Sequence, residues 1–288
     1  MYQAKAAGRD ACSVYHPGEG DAQAQLELAL RLRKAIAADE LVLHYQPVVE
    51  LRSGTMTGAE ALIRWEDPIR GMILPDDFIP LAERTGLIRP ISEWVIAEAS
   101  RQAEAWQAAG NDHAMSINVP PDTCHQIGAE AIGRLIRNAG GEPSRLTLEM
   151  TESSMMTPRR GQNDEMAALR ALGIRFAIDD FGTGHSSLAR LGELPVTFLK
   201  IDRSFVQGLP ELDTARTLVT TIMYLAQGFG LEVIAEGVET EEQREFLLES
   251  GCRFAQGYLF SPAVQPDQIS ADWLSGAVSV GQTAELFA

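Results

Sequence analysis

Past residue 40 the chain alternates short β-rich runs with amphipathic helical segments, and this alternation is the tightest limit on its fold. The strand candidates are 41–51, 56–65, 114–119, 145–150, 175–180, 198–202, 231–236 and 254–260. The helix candidates include 91–110, 129–140, 163–173, 215–230 and 241–251, several ending in glycine, which tolerates the left-handed turn after a helix. Such alternation calls for a parallel sheet covered by helices. The number of runs favours a closed α/β barrel, a TIM-like (β/α)8 fold of roughly 250 residues, and the chain has 288. An open doubly wound sheet stays as the alternative, although no G-x-G-x-x-G follows any strand to mark a dinucleotide fold. Only Arg52-Ser53-Gly54-Thr55 separates the first two runs, so they read as a hairpin and one of them runs antiparallel to its neighbour.

The flanks are different. Residues 21–40 carry apolar side chains at helical spacing and read as a leading helix, while 15–21 is turn-like and reads as a linker. After about Gly276 the periodicity stops. The formal net charge of -16 speaks against a nucleic-acid polymer or an anionic membrane surface as partner, since both need basic patches. An acidic enzyme acting on a phosphorylated substrate would need local cations. Cys12, Cys124 and Cys252 are far apart, with no CxxC pair, and read as free thiols of a reducing cytoplasm. No signal peptide and no membrane-spanning run is present, so the chain reads as a cytoplasmic domain, with membrane anchoring of a longer parent left open.

The strand candidates share a polar punctuation. Glu60 lies within the second, Asn118 closes the third and Glu149 the fourth. Asp179 and Asp180 close the fifth, Lys200 and Asp202 the sixth, Glu236 the seventh, and Gln256 opens the eighth. In a β/α barrel the C-terminal strand ends share one face, where active sites are built. Two carboxylates about 4 Å apart repel by roughly 4 kcal/mol at an effective dielectric near 20. Protons or hard divalent cations can relieve that repulsion. An all-oxygen donor set favours Mg²⁺ or Mn²⁺ over zinc, and adjacent aspartates suit a two-metal site. Singly, each residue also suits a plainer role: an acid as a helix cap, Lys200 as a snorkelling surface lysine, Asn118 in a turn, Gln256 at a strand edge. His185 reads as a turn residue, and Trp94 and Trp106 as core or interface. Their joint placement, strand after strand, favours a site.

The motifs HYQPVVEL (44–51), GAEALIRW (58–65), LEMTES (148–153), DDFGTGHSSL (179–188), LKIDRSFV (199–206), IAEGVETEEQ (234–243) and AQGYLFSP (255–262) resemble, in order, those of the EAL domain family of cyclic di-GMP phosphodiesterases. The resemblance covers about 40 to 270. It implies a TIM-like barrel with one antiparallel strand, and hydrolysis of cyclic di-GMP to linear pGpG with two divalent cations, Mg²⁺ or Mn²⁺; Ca²⁺ is expected to bind without supporting turnover. It also implies that Glu60, Asn118, Glu149 and Asp179 hold one cation. Asp179 would bridge to the second, with Asp180 and Glu236 beside it, and Glu236 would serve as a general base. Lys200 would activate the water. Gln46, Leu62, Arg64 and Gln256 would meet the substrate, Glu152 would anchor the 180–188 loop, and Asp202 and Glu239 would support the site. A homodimer through this domain is implied too.

The chain departs from the family pattern at Pro120-Pro121, His185, Thr197 and after Ser261, none of them a proposed ligand position. Residues 1–15, MYQAKAAGRDACSVY, resemble the end of a GGDEF domain. The domain reading is therefore a GGDEF remnant and linker at 1–18, a leading helix at 19–39, the barrel at 40–275 and a tail at 276–288, within a longer protein carrying upstream GGDEF and sensory domains. The rival reading is a non-catalytic cyclic di-GMP receptor; a further one is a structural or partner-binding barrel.

Overall fold

In a computed structural model, residues 19–156, 161–184, 188–269 and 273 are described. The 41–51 and 56–65 runs form the expected hairpin, zipped from Leu41↔Trp65 to Val49↔Met56. They are β1 (Leu41–Glu50) and β2 (Met56–Asp67). A short β3 (Gly71–Ile73) folds back on β2, and six parallel strands follow: β4 (Ala114–Asn118), β5 (Leu146–Thr151), β6 (Arg175–Phe181), β7 (Phe198–Ile201), β8 (Glu232–Ala235) and β9 (Phe254–Ala255). The sheet order is β1-β9-β8-β7-β6-β5-β4-β2-β3 with β1 also paired to β2, so the sheet closes and β3 lies outside the ring. The strand that runs against its neighbours is β1, antiparallel to both β2 and β9. Closure removes the edges that a doubly wound sheet would keep, which settles the alternative.

The parallel strands are covered on both sides and read as continuous apolar runs rather than alternating ones. Leu146 to Met150 of β5 are buried without a break. Met115, Ile117, Leu148, Phe176, Ile178, Leu199 and Ile201 are all fully buried. Around the ring lie the expected helices at Ile88–Ala108, Ala129–Asn138, Gln162–Ala171, Asp213–Phe229 and Glu241–Glu249. The helix 213–229 stops where Gly230 adopts φ 67, a conformation that costs other residues a clash at Cβ. Trp106 is in the core and Trp94 packs against it half-buried.

Two boundaries and three elements differ from expectation. The leading helix, Glu19–Ala35, ends before Asp39, which sits at φ 55; its Leu32 and Ala35 are buried, and Arg31 pairs with Asp67. The last strand, expected over 254–260, is only Phe254 and Ala255, because the chain turns at Gly257 and Leu259 N–H donates to Val238 O rather than to a strand. Helices at Pro75–Thr85 and Pro121–Ile127 and β3 were not expected at all. Pro75 at the first helical position followed by Asp76 and Asp77 was a legible start signal for the first of these. The 1–18 segment, His185 and the 276–288 tail lie outside the described residues.

Candidate active site

Two adjacent residues of a regular strand point to opposite faces, so Asp179 and Asp180 could not both serve one site from an ideal β6. The ladder between β6 and β7 solves this. Ile178 pairs with Leu199 and Phe181 with Ile201, which leaves Asp179 and Asp180 opposite Lys200 alone. Two residues against one is a β-bulge, a device that re-aims side chains. Asp180 carries the distortion, with φ 54 in the left-handed region.

Lys200 is not a surface lysine. It is 1% exposed, and its Nζ lies 2.5 Å from Glu149 Oε2, 2.6 Å from Glu236 Oε1, 3.2 Å from Glu60 Oε2 and 3.2 Å from Asp179 Oδ1. Glu60 also accepts from Asn118 Nδ2 at 2.6 Å and from Gln256 Nε2 at 2.7 Å; Gln256 reaches Glu236 at 3.3 Å. Glu60 is mid-strand by sequence but at the barrel mouth by register, because β2 pairs with β4 only as far as Ala61. Gln256 follows β9 instead of opening it, which puts it at the same C-terminal end as the others.

Charge is out of balance here. Burial pushes Glu60 up, yet Lys200 and the bonds from Gln256 and Asn118 hold it below the usual carboxylate range. Burial, then Glu60, push Glu149 well up. Burial raises Glu236 to about 8, and burial with Asp179 raises Asp180. Burial would discharge Lys200, but Glu149, Glu236, Glu60 and Asp179 keep its pKa well above the ordinary value. One ammonium thus serves a group of acids, and burial and mutual repulsion raise the pKa of Glu149, Glu236 and Asp180. Asp179, Asp180 and Glu236 offer oxygens within 4.8 Å of one another, and the buried Gln256 Oε1 finds no donor among the described residues. Oxygen donors, excess negative charge and this spacing fit hard divalent cations.

A cleft of about 590 Å³ opens on this cluster, lined among others by Leu62, Asp76, Asn118, Glu149, Asp179 and Asp180. Gln46 stands opposite Glu60 across the hairpin and donates to Ser261 O at 3.0 Å. Arg64 is half-buried, and its Nη1 donates to Ile63 O at 2.9 Å. Glu152 Oε2 accepts from Gly182 N–H at 2.7 Å and Gly184 N–H at 3.4 Å, tying down the turn after the bulge. Asp202 caps the short helix Arg203–Val206, accepting from Ser204 N–H at 3.0 Å. Glu239 is exposed, and its backbone N–H donates to Gln243 Oε1 at 2.8 Å. The buried Gln243 was not anticipated, although Thr240-x-x-Gln243 reads as a capping box.

Comparisons with known proteins give the family and the fold. The model of the EAL domain matches residues 29–263. The chain belongs to the EAL domain family. A curated relative of this EAL domain is the bifunctional diguanylate cyclase/cyclic di-GMP phosphodiesterase MucR of Pseudomonas aeruginosa, 42% identical over 277 residues, which cover 94% of this chain and 40% of that protein. The chain thus spans less than half the length of that relative. Its fold is similar to the MucR phosphodiesterase in complex with c-di-GMP (TM-score 0.77, 42% identity, 85% of this chain and 100% of that one). The EAL enzyme Bd1971, solved with cAMP and cyclic-di-GMP bound, is also similar (TM-score 0.80, 36% identity, 86% and 68%). No described helix of this EAL domain is long and apolar enough to cross a membrane.

Proposed function

We propose that this EAL domain hydrolyses one phosphodiester of cyclic di-GMP, giving linear pGpG, with two divalent cations, Mg²⁺ or Mn²⁺. The observation that carries this reading is the convergence of Glu60, Asn118, Glu149, Asp179, Asp180, Lys200, Glu236 and Gln256 at one barrel end, none of them at a position where the chain departs from the family pattern. Glu60, Asn118, Glu149 and Asp179 would hold the first cation, and Asp179, Asp180 and Glu236 the second. Bound cations supply a water acidified to near neutral pH and neutralise charge on the phosphate.

The chain's own residues do the rest. Lys200, fixed by its four carboxylates, places a permanent positive charge where negative charge develops. Glu236 takes the proton of the attacking water. Arg64 leaves its contact with Ile63 O to meet a substrate phosphate, while Gln46, Leu62 and Gln256 hold the nucleotide. Glu152 keeps the turn after the bulge in place, and Asp202 and Glu239 support the loops. In the parent protein we place a GGDEF domain and a sensor upstream, and a homodimer through this domain, which lies in the cytoplasm.

The test is chromatography of cyclic di-GMP incubated with the protein and Mg²⁺, Mn²⁺, Ca²⁺ or EDTA. Metal-dependent pGpG, with none in Ca²⁺ or EDTA, is expected. Absence of product with cyclic di-GMP still bound in calorimetry would replace this reading with the receptor.

A further inference from the structure

The loops that carry Glu236 and Gln256 are interlocked. Val238 N–H donates to Gln256 O at 3.1 Å, and Leu259 N–H donates to Val238 O at 3.0 Å. Gly257 lies so close that a Cβ there would stand 2.1 Å from Val238 O and 2.3 Å from Val238 N. The two site side chains on this clasp also touch, Gln256 Nε2 to Glu236 Oε1 at 3.3 Å. Whatever fixes Val238 therefore fixes both.

One side chain does so from outside the site. Gln243 is 6% exposed, and its Oε1 accepts from two successive backbone groups, Glu239 N–H at 2.8 Å and Thr240 N–H at 3.1 Å. A capping box needs only the second of these bonds. The first reaches a further residue toward the site, onto the amide next to Val238. The helix 241–249 behind Gln243 is anchored independently, by buried Leu247 and by Arg244 Nη1 donating to Leu51 O at 3.0 Å.

We propose that Gln243 is a positioning residue: through the 239–240 amides and the Val238 clasp it sets the Glu236–Gln256 pair. The inference rests on the catalytic reading above. Residues that orient metal ligands from behind typically matter about 10- to 100-fold in affinity or activity.

The experiment compares wild type, Gln243→Ala, Gln243→Glu and Thr240→Val in the full chain. The readouts are kcat and KM for cyclic di-GMP with Mn²⁺, Mn²⁺ affinity by calorimetry, and Tm. Gln243→Ala should lower kcat and weaken Mn²⁺ binding by roughly tenfold or more, with KM moving much less. Gln243→Glu, whose carboxylate still accepts from both amides, should restore both. Thr240→Val removes the hydroxyl that caps Gln243 N–H, so it should lower Tm while leaving kcat and Mn²⁺ affinity near wild type. Unchanged kcat and Mn²⁺ affinity in Gln243→Ala, or equal losses in Thr240→Val, would overturn the proposal in favour of plain helix capping. Should Gln243→Ala not fold, Gln243→Met, which keeps the length and bulk of the side chain but loses the amide oxygen, takes its place: wild-type kcat and Mn²⁺ affinity in it would overturn the proposal. A wild type that binds Mn²⁺ without turnover refutes the phosphodiesterase but leaves the Mn²⁺ series to decide on Gln243. A wild type that does neither overturns both.

Discussion

Lys200 Nζ lies 2.5 Å from Glu149 Oε2, and both side chains are 1% exposed. Removing one partner of such a pair leaves charge buried without compensation, at a typical cost of about 3–5 kcal/mol. Lys200→Met should lose turnover and lose stability of that order in EDTA, measured by urea unfolding. Its remaining acids fold only by keeping protons, so the folded state binds more protons than the unfolded one. Stability of the variant must then fall as pH rises from 6 to 8. A variant as stable as wild type at pH 8 would mean that the acids do not rely on this ammonium.

Glu60 is held from three sides, by Asn118, Gln256 and Lys200. Glu60→Ala should stay folded by circular dichroism, since it relieves repulsion, and should lose turnover with the missing oxygen donor. Saturating Mn²⁺ should stabilise wild type over EDTA by about 2.7 kcal/mol at a hundred times Kd, and the variant by much less. Equal Tm shifts in the two proteins would remove Glu60 from the cation site.

Glu152 grips Gly182 N–H and Gly184 N–H from the start of the short helix Glu152–Met156 that follows β5. Bonds to an ionised acceptor contribute about 1.5–3 kcal/mol. Glu152→Ala should raise amide exchange at Gly182 and cut turnover by roughly 10- to 100-fold, while exchange in β4 stays as in wild type. Unchanged protection at Gly182 would refute the anchoring.

Cys124 and Cys252 are buried, and burial pushes each thiol up to about 12. The neutral thiol is therefore favoured in the fold. That preference is intact below the ordinary thiol range and is lost as pH climbs through it toward 12, so stability should decline above pH 9. Mass mapping after iodoacetamide at pH 8 should find both unmodified in the native chain and both modified in urea. Rapid native alkylation would show that the helix Pro121–Ile127 around Cys124, or the turn before β9 around Cys252, opens readily.

The barrel was legible because short β-rich apolar runs alternate with segments whose apolar residues keep helical spacing. The hairpin was legible from the four-residue link between the first two runs. The candidate site was legible because polar residues interrupt otherwise apolar strand ends, and the family motifs name the same residues. The plainer explanations fared differently. Lys200 proved buried, whereas Asp202 does act as a helix cap, the role a lone acid after a strand usually has. The 254–260 run looked like a strand because Tyr258, Leu259 and Phe260 favour one, and only the crossing at Val238 turns it aside.

The sequence by itself determined the alternation of strands and helices, the hairpin and the residue types at each strand end, since these follow from local propensity and polarity; closure of the sheet into a barrel, against an open doubly wound one, came from the structure. Which strand runs backwards, how Asp179 and Asp180 share one face, and what grips Glu60, Glu152 and Gln243 were decided only by the tertiary structure. The reason is physical: register, a two-against-one bulge and hydrogen bonds such as Gln46 to Ser261, 215 positions apart, join residues distant in the chain, and no local pattern encodes which partner lies across the barrel.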